Sequence, residues 1–286
     1  MEEIQEHLQA VVTFLARDIG QRSYRDLREL NRAAEYIEER FHAYGCTVLR
    51  QPVAFMGNTY YNISAEVKGT GTEDGILIVG AHYDTVAGTP GADDNASGVA
   101  GLLELARHTA AHPLKRTVRF VAFTLEEPPA FMTKHMGSYV YAKSIREEGV
   151  TVYGMISLEM LGYYCDRKEC QYYPLSFFRW LYPAEGNFIA FVGNLSSASF
   201  TRKLKHTFRK ASSLPVESLN SVSLVPAVDF SDHRSFWHFG FPAVMITDTA
   251  FFRNPHYHAP SDRPETLDYR RMAQLIAGLY TALGDL

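Results

Sequence analysis

A chain of 286 residues, 46% of them apolar, is long enough to bury a large core, and 28 Lys and Arg against 32 Asp and Glu leave it near −4. It has no run of Lys and Arg that would make a stripe for nucleic acid or an anionic membrane, and no segment approaching about 18 uninterrupted apolar residues, so neither partner is expected. The opening MEEIQEHLQAVVTFLARDIG is acidic where a secretory leader is basic, and three cysteines with no CxxC pair make no disulfide framework. A cytoplasmic, reducing location is therefore expected, with Cys165 and Cys170 close enough in sequence for a local bridge.

Two amphipathic packing helices are predicted first. In the second, RDLRELNRAAEYIEERFHAYG, the residues Leu27, Leu30, Ala34, Ile37 and Phe41 form one stripe and Gly45 stops it. The pattern then turns to β. CTVLRQPVAF and YYNISAEVKG read as a pair of strands, and GILIVGAHYD and TVRFVAFTLE as apolar runs for a sheet buried on both faces, with ASGVAGLLELARHTA as the crossover helix between them. A helix at GSYVYAKSIREEG, strands at VTVYGMISLEM and NFIAFVGN, a helix at SASFTRKLKHTFRKAS, the strand FPAVMITD and a last helix from about Pro264 complete the alternation. This order predicts an α/β fold, a three-layer α/β/α sandwich around a mixed, mostly parallel sheet. Residues 1–286 are expected to form a single catalytic domain, with an aromatic-rich loop or lid insertion at about 163–186 and a second, polar loop, SLNSVSLVPAVDFSD, over one edge.

In open α/β sheets, sites form beyond the carboxyl ends of the strands. There the chain carries His82 and Asp84, then Asp93 and Asp94 at the mouth of a helix; Glu126 and Glu127 follow the next strand, Glu159 the next, and His256 and His258 lie beyond FPAVMITD. A lone HxD or EE is usually a solvated turn, but Glu159 between Leu158 and Met160 is a carboxylate in an apolar strand, costly unless paired or bound to a cation. So many acids at one edge repel one another, and divalent charge at their centre is the economical remedy. Histidines with several carboxylates and no cysteine suit a zinc site of the non-structural kind, with cobalt or manganese as substitutes.

The motifs GAHYDT, GADDNASG, FTLEE followed by Gly137 and Ser138, SLEMLGY, SDHRSFWHFGFPAV and YHAPSDRPETLDY stand in one order from about residue 20 to the C-terminus. In these the chain resembles the M28-type zinc aminopeptidases, metallopeptidases with a co-catalytic metal pair. The resemblance implies two zinc ions per chain: His82 and Glu159 on one, Glu127 and His258 on the other, and Asp94 bridging both. It further implies Asp84 as the carboxylate that orients His82, Glu126 as general base and Tyr257 as hydrogen-bond donor to the developing oxyanion. Asp94, not Asp93, directly precedes Asn and a small residue as the family's bridging Asp does, which leaves Asp93 a turn or capping role and His233 and His256 structural or outer roles. Many family members carry Asp where this chain has Glu159.

The implied activity is an exopeptidase that removes N-terminal residues from peptides, with Glu126 and Glu159 holding the free α-ammonium and the aromatic insertion favouring apolar first residues. A one-zinc glutaminyl cyclase-like acyltransferase shares the fold and ligand order. A non-catalytic binding domain of the same fold is disfavoured by the full ligand set and the presence of Glu126.

Overall fold

The computed structural model describes residues 1–222 and 225–286; Ser223 and Leu224, within the predicted polar loop, lie outside them. Helix α1 (Glu2–Thr13) runs on as a wider turn at Phe14–Ile19, and α2 (Leu27–Ala43) begins at Asp26, whose carboxylate accepts the Glu29 N–H. Strands β1 (Thr47–Phe55) and β2 (Asn58–Val67) form a hairpin closed by Met56 and Gly57, both at positive φ, as a two-residue turn matched to strand twist requires. The chain continues through β3 (Ile76–His82), α3 (Gly98–Ala111), β4 (Val118–Phe123), α4 (Gly137–Glu147) and β5 (Val152–Glu159). It ends with β6 (Ile189–Asn194), α5 (Ala198–Ala211), β7 (Val216–Ser221), α6 (His233–His238), β8 (Ala243–Thr247) and α7 (Tyr269–Gly284).

Among the described residues the strands make one sheet in the order β1-β2-β4-β3-β5-β8-β6-β7. Strands β4, β3, β5 and β8 are parallel neighbours; β1 and β2 attach antiparallel at one side, and β6 runs antiparallel to β8 and parallel to β7 at the other. Alternate residues of the central strands feed two cores. Val79, Phe120, Ile156 and Ile246 pack beneath α1, α3, α5 and α7, whereas Ile78, Val121, Met155 and Ala243 meet Tyr141 and Ile145 of α4 and Phe236 of α6. Helices on both faces explain the near-continuous apolar runs of β3 and β5, and the predicted α/β/α sandwich is the observed fold.

Three details differ from the sequence reading. The polar stretch read as a loop supplies most of edge strand β7, whose exposed pairing edge tolerates Glu217, Ser218 and Asn220 in place of an apolar run. SDHRSFWH, carried only as a motif, includes the short helix α6. The last helix starts at Tyr269, capped by Asp268 accepting the Arg271 N–H, after a 3-10 turn at Pro264–Thr266. Cys165 and Cys170 are disulfide-bonded in the aromatic segment, which contains a 3-10 turn at Ser176–Trp180 and is pinned at its base by a bridge between Cys165 and Gly186.

Candidate metal centre

The four adjacent parallel strands bring their C-terminal ends to one edge, and the chemistry-bearing residues follow. His82 is the last residue of β3 and Glu159 the last of β5; Glu126 and Glu127 stand three and four residues beyond β4, and His258 lies in the loop after β8. Asp94 comes from the turn between β3 and α3. That turn needs glycine twice: Gly91 sits at φ +62, and a Cβ on Gly98 would collide with the Asn95 carboxamide and the Leu158 carbonyl. Asn95 locks the turn onto the end of β5, donating to Leu158 O at 2.8 Å and accepting the N–H groups of Met160 and Gly98 at 3.0 and 3.1 Å.

Two three-residue groups result, His82–Asp94–Glu159 and Asp94–Glu127–His258, sharing Asp94. His82 Nε2 is 3.3 Å from Asp94 Oδ1 and 3.3 Å from Glu159 Oε1; His258 Nε2 is 3.1 Å from Asp94 Oδ2 and 3.2 Å from Glu127 Oε1. Ligand atoms ~2.0–2.1 Å from a tetrahedral ion stand ~3.3 Å apart, so each group offers three donor residues at the spacing a zinc-sized cation would need. Asp94 offers a different oxygen to each group, an arrangement that would let its carboxylate bridge two ions.

The charge balance points the same way. Burial, followed by repulsion from Asp94, pushes the Glu127 carboxyl up to about 7. Burial also holds Glu126 well above the carboxylate range; His82 opposes this, while Glu127 and Glu159 reinforce it. Burial favours neutral His258, yet its hydrogen bonds to Asp94 and Glu127 raise it to about 10. Without cations the cluster must be held together by protons, and divalent charge would replace them.

The surrounding shell holds what the sequence reading missed. Ser231, next to α6, donates to Glu159 Oε2 at 2.7 Å and contacts Ser157 Oγ at 3.0 Å. Asp262 accepts the backbone N–H groups of Asp93 and Asp94 at 2.9 and 3.1 Å. Arg22, from the segment between the opening helices, is fully buried and donates to the carbonyls of Leu15, Gly20, Tyr83, Pro90 and Gly91 at 2.8–2.9 Å. The opening helices thus do more than pack, since the guanidinium between them holds the glycine turn that presents Asp94. Ser231 and Asp262 fall within SDHRSFWHFGFPAV and YHAPSDRPETLDY and so had a sequence signal; Arg22 had none.

Asp84 stands beside His82 and makes a second set of contacts that the sequence did not suggest. His82 Nδ1 is 3.2 Å from the Asp84 backbone carbonyl and 3.6 Å from its carboxylate, whose two oxygens also accept the N–H groups of Glu126 and Glu127 at 3.0 and 3.1 Å. It clamps the turn carrying both glutamates while standing behind the imidazole. Asp93 faces away from the metal groups, accepting Gly162 N–H at 2.8 Å and Asn254 Nδ2 at 2.6 Å. His233 is buried and bonded to the Val228 carbonyl at 2.8 Å, and burial lowers it to about 4; His256 turns to Ser261 at 3.0 Å. Tyr257 stacks on His258 with ring centroids 3.8 Å apart, and burial keeps its phenol protonated.

A cavity of about 360 Å³ opens from Asp94, Glu126, Glu127, Glu159 and His258 toward the β7 edge, walled by rings of the aromatic segment that include Tyr173, Phe178 and Tyr182. Two carboxylate- and histidine-lined groups at the ends of parallel strands, beside a largely apolar cavity, define a candidate metal-dependent hydrolase of the α/β class. The model of "Peptidase family M28" matches residues 62–282, and the chain belongs to that metal-dependent family. It is 44% identical over 287 residues to the uncharacterized protein YfbL of Escherichia coli (strain K12), covering 97% of this chain and 87% of YfbL. Its fold matches the aminopeptidase of Aneurinibacillus sp. strain AM-1 with a TM-score of 0.74 at 17% identity, over 98% of this chain and 93% of that one. It also matches the glutaminyl cyclase of Tannerella forsythia with a TM-score of 0.72 at 18% identity, over 99% and 98%. At such identities these two structures speak for the fold alone.

Proposed function

We propose that the protein is a two-zinc aminopeptidase, a single catalytic domain whose residues 163–186 cover the substrate pocket. The observation that carries this reading is the pair of three-residue groups joined by Asp94, with the further carboxyl of Glu126 facing the same cavity. His82, Asp94 and Glu159 would hold one ion, and Asp94, Glu127 and His258 the other. When bound, such a pair supplies Lewis-acid polarisation of the scissile carbonyl and acidifies water.

Glu126, not among the ligands and raised in proton affinity by its buried, acidic setting, takes the proton of the attacking water and hands it to the leaving amine. Its carboxylate and that of Glu159 receive the substrate's α-ammonium, which fixes the scissile carbonyl in place and restricts the enzyme to free N-termini. Asp84 holds Glu126 and Glu127 by their backbone N–H groups, and the protonated Tyr257 phenol donates to the developing oxyanion. Cobalt or manganese would substitute at the same oxygen and nitrogen ligands. A cytoplasmic location belongs to this reading. A Cys165–Cys170 bridge found intact in protein taken directly from cells would move the chain to an oxidising compartment.

The test compares a free-amine peptide anilide with its N-acetylated form on zinc-loaded protein, alongside zinc counted per chain. Cleavage of the free form alone, at two zinc per chain, is expected. Comparable cleavage of both forms would point to a deacylase or carboxypeptidase, and full activity at one zinc, with cyclisation of N-terminal glutamine, to the cyclase.

A further inference from the structure

The cavity's floor is a row of side chains crossing the sheet. Register pairs Glu159 with Thr247, Thr247 with Ala190, and Ala190 with Glu217, so the four stand in line on the same face, and all four line the cavity. A carboxylate therefore closes each end, three interstrand steps or ~14 Å apart, with two small residues leaving space between them. At the far end, Tyr173 and Tyr182 contribute ring faces only: their hydroxyls are committed to the carbonyls of Pro183 at 2.7 Å and Ser218 at 3.0 Å. Glu217 Oε2 pairs with Lys205 Nζ at 3.3 Å, and Oε1 has no hydrogen-bond partner among the described residues.

We infer that Glu217 selects the substrate's first side chain by its tip, favouring a long aromatic body that ends in a neutral hydrogen-bond donor, tyrosine above all. This rests on the aminopeptidase reading, which anchors the α-amine at the Glu159 end. From there an extended tyrosine spans the row and its phenol O–H donates to Glu217 Oε1, whereas phenylalanine and leucine stop short of the carboxylate. Arginine and lysine also have the length, but Lys205 already neutralises Glu217, so a second cation would be desolvated between aromatic walls without a free counter-charge. The anion on Oε1 strengthens the phenol's bond, and the partial exposure of Glu217, 35%, keeps the gain at the low end for a charge-assisted pair, on the order of tenfold.

The deciding experiment is calorimetric binding of L-tyrosinol, L-phenylalaninol and L-argininol to the zinc-loaded full chain. These amino alcohols keep the α-amine and the side chain but have no scissile bond. Tyrosinol is expected to bind about tenfold more tightly than either of the others. Glu217→Leu should erase the tyrosine–phenylalanine difference, Glu217→Gln should retain part of it because the amide oxygen still accepts, and Lys205→Met should shift preference toward argininol. Equal affinities in the wild type, an argininol preference, no binding of any of the three, or a difference that survives Glu217→Leu overturns the assignment; the wild-type comparison decides even where a variant fails to fold. Parallel assays on the tyrosine, phenylalanine and arginine anilides separate the two readings. Tyrosinol preference without hydrolysis of any anilide removes the peptidase reading and keeps Glu217's role, whereas hydrolysis without tyrosine preference does the reverse.

Discussion

Removing metal and raising the pH from about 6 to about 8 should destabilise the fold, and the site's own acids set the size of the effect. Glu127 is pushed from its ordinary 4.5 to about 7 by burial and then Asp94; Asp232, the buried residue between Ser231 and α6, is pushed from 3.8 to about 7 by burial, with Glu159 and Asp84 adding to it against His82 and Ser138. For each, the folded pKa lies above the unfolded one. The native state holds a proton that the unfolded state has released, so the unfolded state binds fewer protons and stability falls as pH rises, a loss complete only above the folded pKa. Across this window the unfolded carboxyls are already ionised while the folded ones titrate near the midpoint, a loss of a little over 1 kcal/mol each and about 3 kcal/mol together. His258, raised to about 10, adds in the same direction, because its imidazole keeps in the folded state a proton that the unfolded chain gives up. His233, lowered to about 4, acts oppositely, but mainly below its ordinary 6.5. The assay is urea unfolding of chelator-treated protein at the two pH values, with an unchanged slope and a lower midpoint at the higher pH. Zinc should stabilise more at pH 8 than at pH 6, since its ligands must shed protons to bind. Glu127→Gln should flatten the metal-free profile by about 1 kcal/mol. A metal-free chain equally or more stable at pH 8 would refute the proton-held cluster.

Glu126→Gln should keep its zinc and lose ~10²- to 10⁴-fold in turnover; near-normal kcat would remove its role as base. His82→Ala and His258→Ala should each lose zinc, read by metal analysis after gentle dialysis, and full occupancy would remove them as ligands. Asp84→Asn leaves the N–H of Glu126 or Glu127 without its charged acceptor, so about 2 kcal/mol of stability and a ten- to hundredfold drop in zinc affinity are expected; no change in either contradicts the clamp. Arg22→Met strips donors from five carbonyls behind the glycine turn and should lower stability by at least ~3 kcal/mol while weakening zinc binding without touching a ligand. A melting temperature within a degree or two of wild type would show that the turn holds itself.

The sequence by itself determined the layered fold and the residues able to make the site, because both are written in local pattern. Strands buried on both faces read as uninterrupted apolar runs, and a carboxylate or histidine at the end of such a run has no packing reason to be there; His82 and Glu159 close β3 and β5 in just that way. Edge strand β7 was not legible, since with only one pairing neighbour its polar residues carry no apolar signature. What only the tertiary structure decided is which groups face each other. Asp93 and Asp94 are adjacent in sequence, but only the backbone of the turn sends one to the metal groups and the other to Gly162 and Asn254. Asp84, expected to brace His82, stands 3.6 Å from its Nδ1 and also clamps the N–H groups of Glu126 and Glu127, a second pairing set by where β4 ends beside β3. Arg22 reaches the carbonyls of Tyr83, Pro90 and Gly91, more than 60 positions along the chain and beyond any spacing pattern, and the row from Glu159 to Glu217 exists only because three strand pairings fall in register.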